Sequence, residues 1–211
     1  MVIEDSKEIR KLIPHEQTKN LHKINDLKGI GSVFLEWGCI ILCACLCAHY
    51  FTWYFYVFTV IFIGARYLAL GLIMHESVHQ LISKNKFVND WISEIFCAWP
   101  LIISMRSYRV KHLAHHAKLN SDEDPDFVAK FDPNWRFPMK KKQFFKVLAI
   151  QLSGIGVFET FKVMSSAQMK TKKDKAPRWY TLLRVTFYLS VLSGFILTGN
   201  GMTLVLYWLI P

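Results

Sequence analysis

Charge is missing from two long stretches of this 211-residue chain. No Asp, Glu, Lys or Arg stands between Trp37 and Ala65, and none stands between Val185 and Pro211. Apolar residues make up 52% of the sequence, near the soluble average, so it is their bunching that carries the signal. A charge buried in hydrocarbon is costly, and unbroken apolar runs of this length mark membrane spans. CxxC pairs are missing too. Of the five cysteines, Cys39, Cys43, Cys45 and Cys47 fall in the first apolar run and Cys97 stands apart. They read as small apolar side chains, not as a disulfide framework. The first 28 residues lack a short apolar core followed by a small-residue cleavage site, so no removable signal peptide is expected. Repeats and low-complexity tracts are absent.

What charge there is has one sign and a location. The net charge is +10, and the 26 Lys and Arg lie almost wholly in residues 7–28 and 84–178. No basic stripe with interleaved aromatics sits on a soluble module, so a nucleic-acid partner is not expected. Positive flanks beside membrane spans mark the cytosolic side instead. Residues 1–30 read as a solvated or interfacial lead-in, with Ile9, Leu12 and Ile13 on one face and Pro14 interrupting it. Residues 33–73 hold two spans of about 20 residues each. Their break falls near His49–Thr52, which puts Glu36 and Arg66 towards the cytosolic ends, where Arg66 snorkels or pairs with a polar group.

Residues 74–178 contain no clean span. Ile92–Ser104 is too short to cross, and Pro100 breaks it. Phe144–Met164 is long enough, but it carries Lys146, Gln151, Glu159 and Lys162 between the basic clusters Lys140–Lys142 and Lys170–Lys175. It therefore reads as an interfacial helix of a cytosolic cap. Residues 179–198 form a third span with Arg184 near its cytosolic end, and Gly199-Asn200-Gly201 reverses the chain. The last apolar segment, Met202 to Pro211, supplies only about 15 Å of helix against a hydrocarbon core of about 30 Å. A chain stopping there is expected to be C-terminally truncated. The predicted fold is all-α: one polytopic membrane domain over residues 1–211, two transmembrane helical hairpins with an intervening cytosolic helical cap.

Chemistry enters with the histidines. His75-Glu76-Ser77-Val78-His79 closes the second span, and His112-Leu113-Ala114-His115-His116 follows the first apolar patch of the cap. Positions i and i+4 share a helix face, which pairs His75 with His79; the same rule groups His112 with His115 and His116. Five imidazoles from two segments then converge on a metal, which imidazole chemistry leaves open among iron, zinc, copper and nickel. His15, His22 and His49 are isolated and read as ordinary surface or core side chains. Asp122, Asp124 and Asp126 are candidates to orient the rings from outside, although an acidic solvated turn is the plainer role for most of them.

An HxxxH box followed about thirty residues later by HxxHH resembles the membrane fatty acid desaturase superfamily, which also includes carotenoid and other lipid hydroxylases and ketolases. The acidic run Asn120–Asp126 and the closing Tyr207-Trp208-Leu209-Ile210-Pro211 are similar to family members as well. The resemblance implies a histidine-ligated di-iron centre that uses oxygen to oxidise an acyl chain. Electrons would come from a ferredoxin or cytochrome b5 type donor. His75, His79, His112, His115 and His116 match the family's first two ligand sets; its third histidine box is absent up to Pro211. The basic flanks put the site on the cytosolic face, and the resemblance implies a lipid substrate and an electron-transfer protein as partners.

Two rival readings come from other classes. His75-Glu76-x-x-His79 is also an HExxH string, the zinc-protease signature, but a protease needs one further ligand and not a second His cluster. The alternative without catalysis is a remnant that binds lipid or a partner through its spans and basic cap.

Overall fold

The computed structural model describes Glu16, residues 23–119, Ser121, residues 123–125, 138–156 and 177–211. The apolar face expected at Ile9, Leu12 and Ile13, the isolated His15 and His22, and Asp122 and Asp126 lie outside the described residues, as does the Phe144–Met164 segment beyond residue 156. Every described element is helical, as the sequence predicts, and the chain divides into two compact units, Met1–Cys97 and Ala98–Pro211.

The first unit is built on an antiparallel hairpin of α1 (Asp26–His49) and α2 (Trp53–Val78). At 1.5 Å per residue their 24 and 26 residues reach about 36 and 39 Å, enough to cross a bilayer. The break falls where the sequence places it. Thr52 ends the turn by accepting a hydrogen bond from the Phe55 amide, and Asn25 does the same for the Lys28 amide at the start of α1. Val33, Ile40, Cys43 and Cys47 repeat at helical spacing along the buried stripe of α1, and Thr59, Ile63, Leu70 and Met74 form the matching stripe of α2. The opposite faces present Leu35, Leu42, Ile61 and Leu68 outward, the inverse of a soluble protein and the arrangement that hydrocarbon solvates. The cysteines are all free.

Polar contacts cross this apolar hairpin. Cys43 Sγ lies 3.7 Å from Thr59 Oγ1, and Arg66 Nη1 lies 3.3 Å from Glu36 Oε2. The expected partner of Arg66 is thus Glu36, itself on the neighbouring helix, and the guanidinium also sits 5.3 Å from the Phe62 ring centroid. Beyond α2 the chain folds back on α1. The Lys84 amide donates to Asp26 at 2.7 Å, and the Cα of Ile82 lies 2.9 Å from where a Cβ on Gly29 would stand. Only glycine allows that approach. α3 (Lys86–Ser93) then starts on Asn85, whose side chain accepts from the Phe87 and Val88 amides. A π-helical turn, Glu94–Ala98, continues the chain, and Trp37 Nε1 donates to the Phe96 carbonyl at 2.8 Å.

The second unit opens with a short 3-10 turn, Trp99–Leu101, followed by α4 (Met105–Lys118), α5 (Lys141–Leu152), α6 (Arg178–Leu197) and α7 (Gly201–Leu204), the last running into a π-helical turn, Val205–Leu209. α6 is the third helix long and apolar enough to span. α5 covers about 18 Å, and Gly154 at φ 80 follows it in a turn. Phe144, Phe145 and Leu148 are exposed on α5 beside the exposed Lys141, Lys142 and Lys146. Indole and phenol groups tie α6 and the chain end to the Trp99 turn. Trp99 Nε1 donates to Tyr180 Oη, Tyr188 Oη donates to the Trp99 carbonyl at 3.1 Å, and Trp208 Nε1 donates to the Pro100 carbonyl at 2.7 Å.

Three helix stops share one hydrogen-bond pattern and differ in the residue that makes the turn. After α6, Gly199 at φ 71 takes the left-handed position, with Gly199 N bonded to Ile196 O and Asn200 N to Phe195 O. Glycine does this without steric penalty. The stop after α2 uses Gln80 (φ 62), with Gln80 N on Ser77 O and Leu81 N on Glu76 O. The stop before α4 uses Ile102 (φ 60), with Ile102 N on Trp99 O and Ile103 N on Ala98 O. A side chain in this region costs about 1–2 kcal/mol, more awkwardly still when β-branched. The Gln80 stop directly follows the first histidine segment.

Candidate metal centre

His75 sits in the last turn of α2, and His79 is the residue that caps it. Helical spacing brings their rings to 5.1 Å between centroids, and each offers a nitrogen within 4.8 Å of the other's. His75 Nδ1 lies 3.1 Å from Glu76 Oε1, so the glutamate of the HExxH string meets its neighbouring imidazole.

The second group rides on α4, which begins at Ser104. That side chain accepts from the Ser107 amide and shares a 3.0 Å hydrogen bond with Tyr180 Oη, so α6 helps to set where α4 starts. Two turns later His112, buried and stacked on Tyr108 at 5.2 Å with 12° between the planes, directs Nε2 at His116 Nε2 across 2.9 Å. His115 follows a different course. Its Nδ1 lies 2.7 Å from Asp124 Oδ1, and Asp124 is wholly buried. The spacing rule groups all three rings, yet an i+3 neighbour is rotated about 60° from His112 to one side and an i+4 neighbour about 40° to the other, so one acidic residue suffices to separate their contacts.

The donor chemistry of both groups fits a first-row metal. Two imidazole nitrogens at right angles on an ion about 2.1 Å away would stand about 3.0 Å apart, and the His112–His116 separation is 2.9 Å. The carboxylate of Asp124 keeps the His115 proton on Nδ1, which leaves Nε2 as that ring's lone-pair donor. Among the described members of the acidic run, Asp124 is buried, whereas Glu123 beside it is exposed and ion-paired with Lys118, whose hydrogen bond pulls its carboxyl below the usual range. Burial pushes the Cys97 thiol up to about 12, so it stays protonated at neutral pH.

Side chains that spacing alone does not pick out complete the surroundings. Asn89 is fully buried, with Nδ2 on the Ser77 carbonyl at 2.9 Å and Oδ1 accepting from the Ile82 amide at 3.2 Å. Asp90 accepts from Gln80 Nε2 at 3.0 Å. Their trace in the sequence is a polar pair, Asn89-Asp90, between Val88 and Trp91.

Several known desaturases are similar to this chain in sequence. Dihydrorhizobitoxine desaturase of Bradyrhizobium elkanii is 24% identical over 206 residues, covering 93% of this chain and 58% of that protein. The sn-1 oleoyl-lipid 12-desaturase of Synechocystis sp. is 26% identical over 196 residues, 87% of this chain and 53% of the relative. The sn-1 acyl-lipid omega-3 desaturase (ferredoxin) of the same organism is 29% identical over 99 residues, 46% of this chain and 27% of its own. The chain thus spans little more than half the length of the relatives it matches most fully. No solved structure matches at a significant level. The fatty acid desaturase family model matches residues 51–211, taking in both histidine segments and more than half of the sequence, and the chain belongs to that family.

Proposed function

We propose that the protein to which this chain belongs is a membrane lipid desaturase, with His75, His79, His112, His115 and His116 as its iron ligands, on the cytosolic face. The observation that carries the reading is the His112–His116–His115–Asp124 arrangement, two nitrogens aimed at each other and a third ring oriented by a buried carboxylate. Iron held by such imidazoles supplies, from oxygen, the oxidising power that an unactivated C–H bond requires and acid–base side chains lack. The overall change removes two hydrogens from adjacent carbons; with two electrons and two protons added, oxygen leaves as two waters. A single-electron carrier such as a ferredoxin or a cytochrome b5 type protein fits that demand, and one relative carries ferredoxin in its name.

This chain's own residues bind and orient. Asp124 fixes the His115 tautomer, and Tyr108 stacks His112 in place. Glu76, bonded to His75, serves as an orienting group here and not as the base of a protease. The lipid-solvated faces of α1, α2 and α6 keep the protein in the phase where an acyl substrate resides.

The test is iron analysis of the full chain purified in nanodiscs beside His79→Ala and His115→Ala. Both substitutions are expected to abolish iron loading while leaving membrane insertion intact, and normal iron occupancy in either variant overturns the assignment. Product mass then separates reactions: a loss of two hydrogens marks a desaturase, a gain of oxygen a hydroxylase or ketolase.

A further inference from the structure

His79 is a ligand that the α2 ladder does not hold. It caps the helix, with backbone φ −86 and ψ 7, so the direction of its ring depends on how the chain leaves α2. That exit runs through Gln80 at φ 62, where a glycine would sit without strain, as Gly199 does after α6. A side chain stays in such a conformation only where its surroundings over-determine it.

The surroundings come from α3. Asp90 Oδ1 accepts from Gln80 Nε2 at 3.0 Å. Asn89, buried to 0% exposure, reaches the turn from both directions. Its Nδ2 donates to the Ser77 carbonyl at 2.9 Å, two residues before His79, and its Oδ1 accepts from the Ile82 amide at 3.2 Å, three residues after. The Asn89 amide also lies 3.0 Å from the same Asp90 oxygen, which couples the two clamps. A helix that merely had to stop could do so with glycine and no clamp at all.

We infer that Asn89 and Asp90, with Gln80 as the tethered turn residue, are positioning residues that hold the His79 imidazole in its ligating orientation. The inference rests on the metal-site reading above. Gln80→Gly separates positioning from stability, because it removes the tether and relieves the left-handed strain together. Asn89→Asp keeps the acceptor for Ile82 and loses the donor to Ser77.

The experiment is Co(II) titration of the full chain in nanodiscs, read by the visible absorption of the bound ion, with a melting curve for each variant. Gln80→Gly is expected to melt no lower than wild type, yet to bind Co(II) about 10-fold or more weaker with shifted bands, the range seen when outer partners of ligands are removed. Asn89→Asp is expected to shift the bands in the same sense. Wild-type affinity and bands in both variants overturn the positioning role. So does an affinity loss that merely follows melting temperature. A wild-type chain that binds no Co(II) at all overturns the metal-site reading instead.

Discussion

Removing the Asp124 carboxylate tests the candidate centre through its direct contact with a histidine ring. Its Oδ1 stands 2.7 Å from His115 Nδ1, in the range of charge-assisted bonds, and the side chain is 1% exposed, so solvent cannot replace it cheaply. Loss of an outer partner of this kind lowers metal affinity about 10–100-fold. That range corresponds to about 1.4–2.7 kcal/mol at 1.36 kcal/mol per decade. Full burial places Asp124→Ala at the upper end. Asp124→Asn retains an oxygen that can accept from Nδ1 and should lose about tenfold or less by the same scale. Glu123→Ala is the control, because that side chain is 73% exposed and bound to Lys118, away from the rings. Calorimetric titration with Fe(II) under anaerobic conditions reads all three, alongside a melting curve. A folded Asp124→Ala protein with wild-type affinity would refute the idea that this carboxylate orients His115.

The remaining predictions concern the framework. Gly29→Ala drives a Cβ into the Ile82 backbone and should destabilise by about 1–3 kcal/mol, whereas Gly31→Ala, with open space around it, should be neutral or slightly stabilising in the same detergent melt. The destabilisations of Glu36→Gln and Arg66→Met taken singly should sum to more than that of the double variant, since either single change strands a partly buried partner; additive melting shifts would show that the pair is not coupled. Cys97, raised from an ordinary 9.0 to about 12 by burial, keeps its proton in the folded state while the unfolded thiol ionises. Its contribution is therefore complete below pH 9 and declines as pH rises from 9 towards 12. Iodoacetamide at pH 9 should label it only after denaturation, and rapid labelling of the folded chain would contradict its burial.

Much of the fold was legible because membrane spans announce themselves by composition. The turn at Tyr50–Thr52 stands out as the polar break in an otherwise apolar run, and Glu36 with Arg66 are the charges bordering it on either side. The periodic rule also finds the His75–His79 and His112–His116 pairs, because both depend only on one helix's geometry. What spacing does not reveal is the rotation of His115 towards Asp124, which depends on a loop folding back under α4. Nor does it reveal the clamp from Asn89, a contact across a turn in which the polarity of a single buried amide outweighs its apolar neighbours. Left-handed backbone at Gln80 and Ile102 is hidden for a related reason: local preference argues for glycine, and tertiary contacts prevail.

The Glu36–Arg66 contact has a consequence for how the protein is made. An arginine inserting alone on a helix is penalised by up to about 2.5–3.5 kcal/mol at the bilayer centre and by less towards the cytosolic end, where Glu36 and Arg66 are expected. Each helix is apolar enough to insert, but it carries a charge penalty that its partner removes. The two are expected to leave the translocation machinery together, already docked, with opposite charges annulled before hydrocarbon closes around them. Neutralising one of the two would then delay integration of both, a defect visible in glycosylation-mapping of nascent chains well before any folded protein exists.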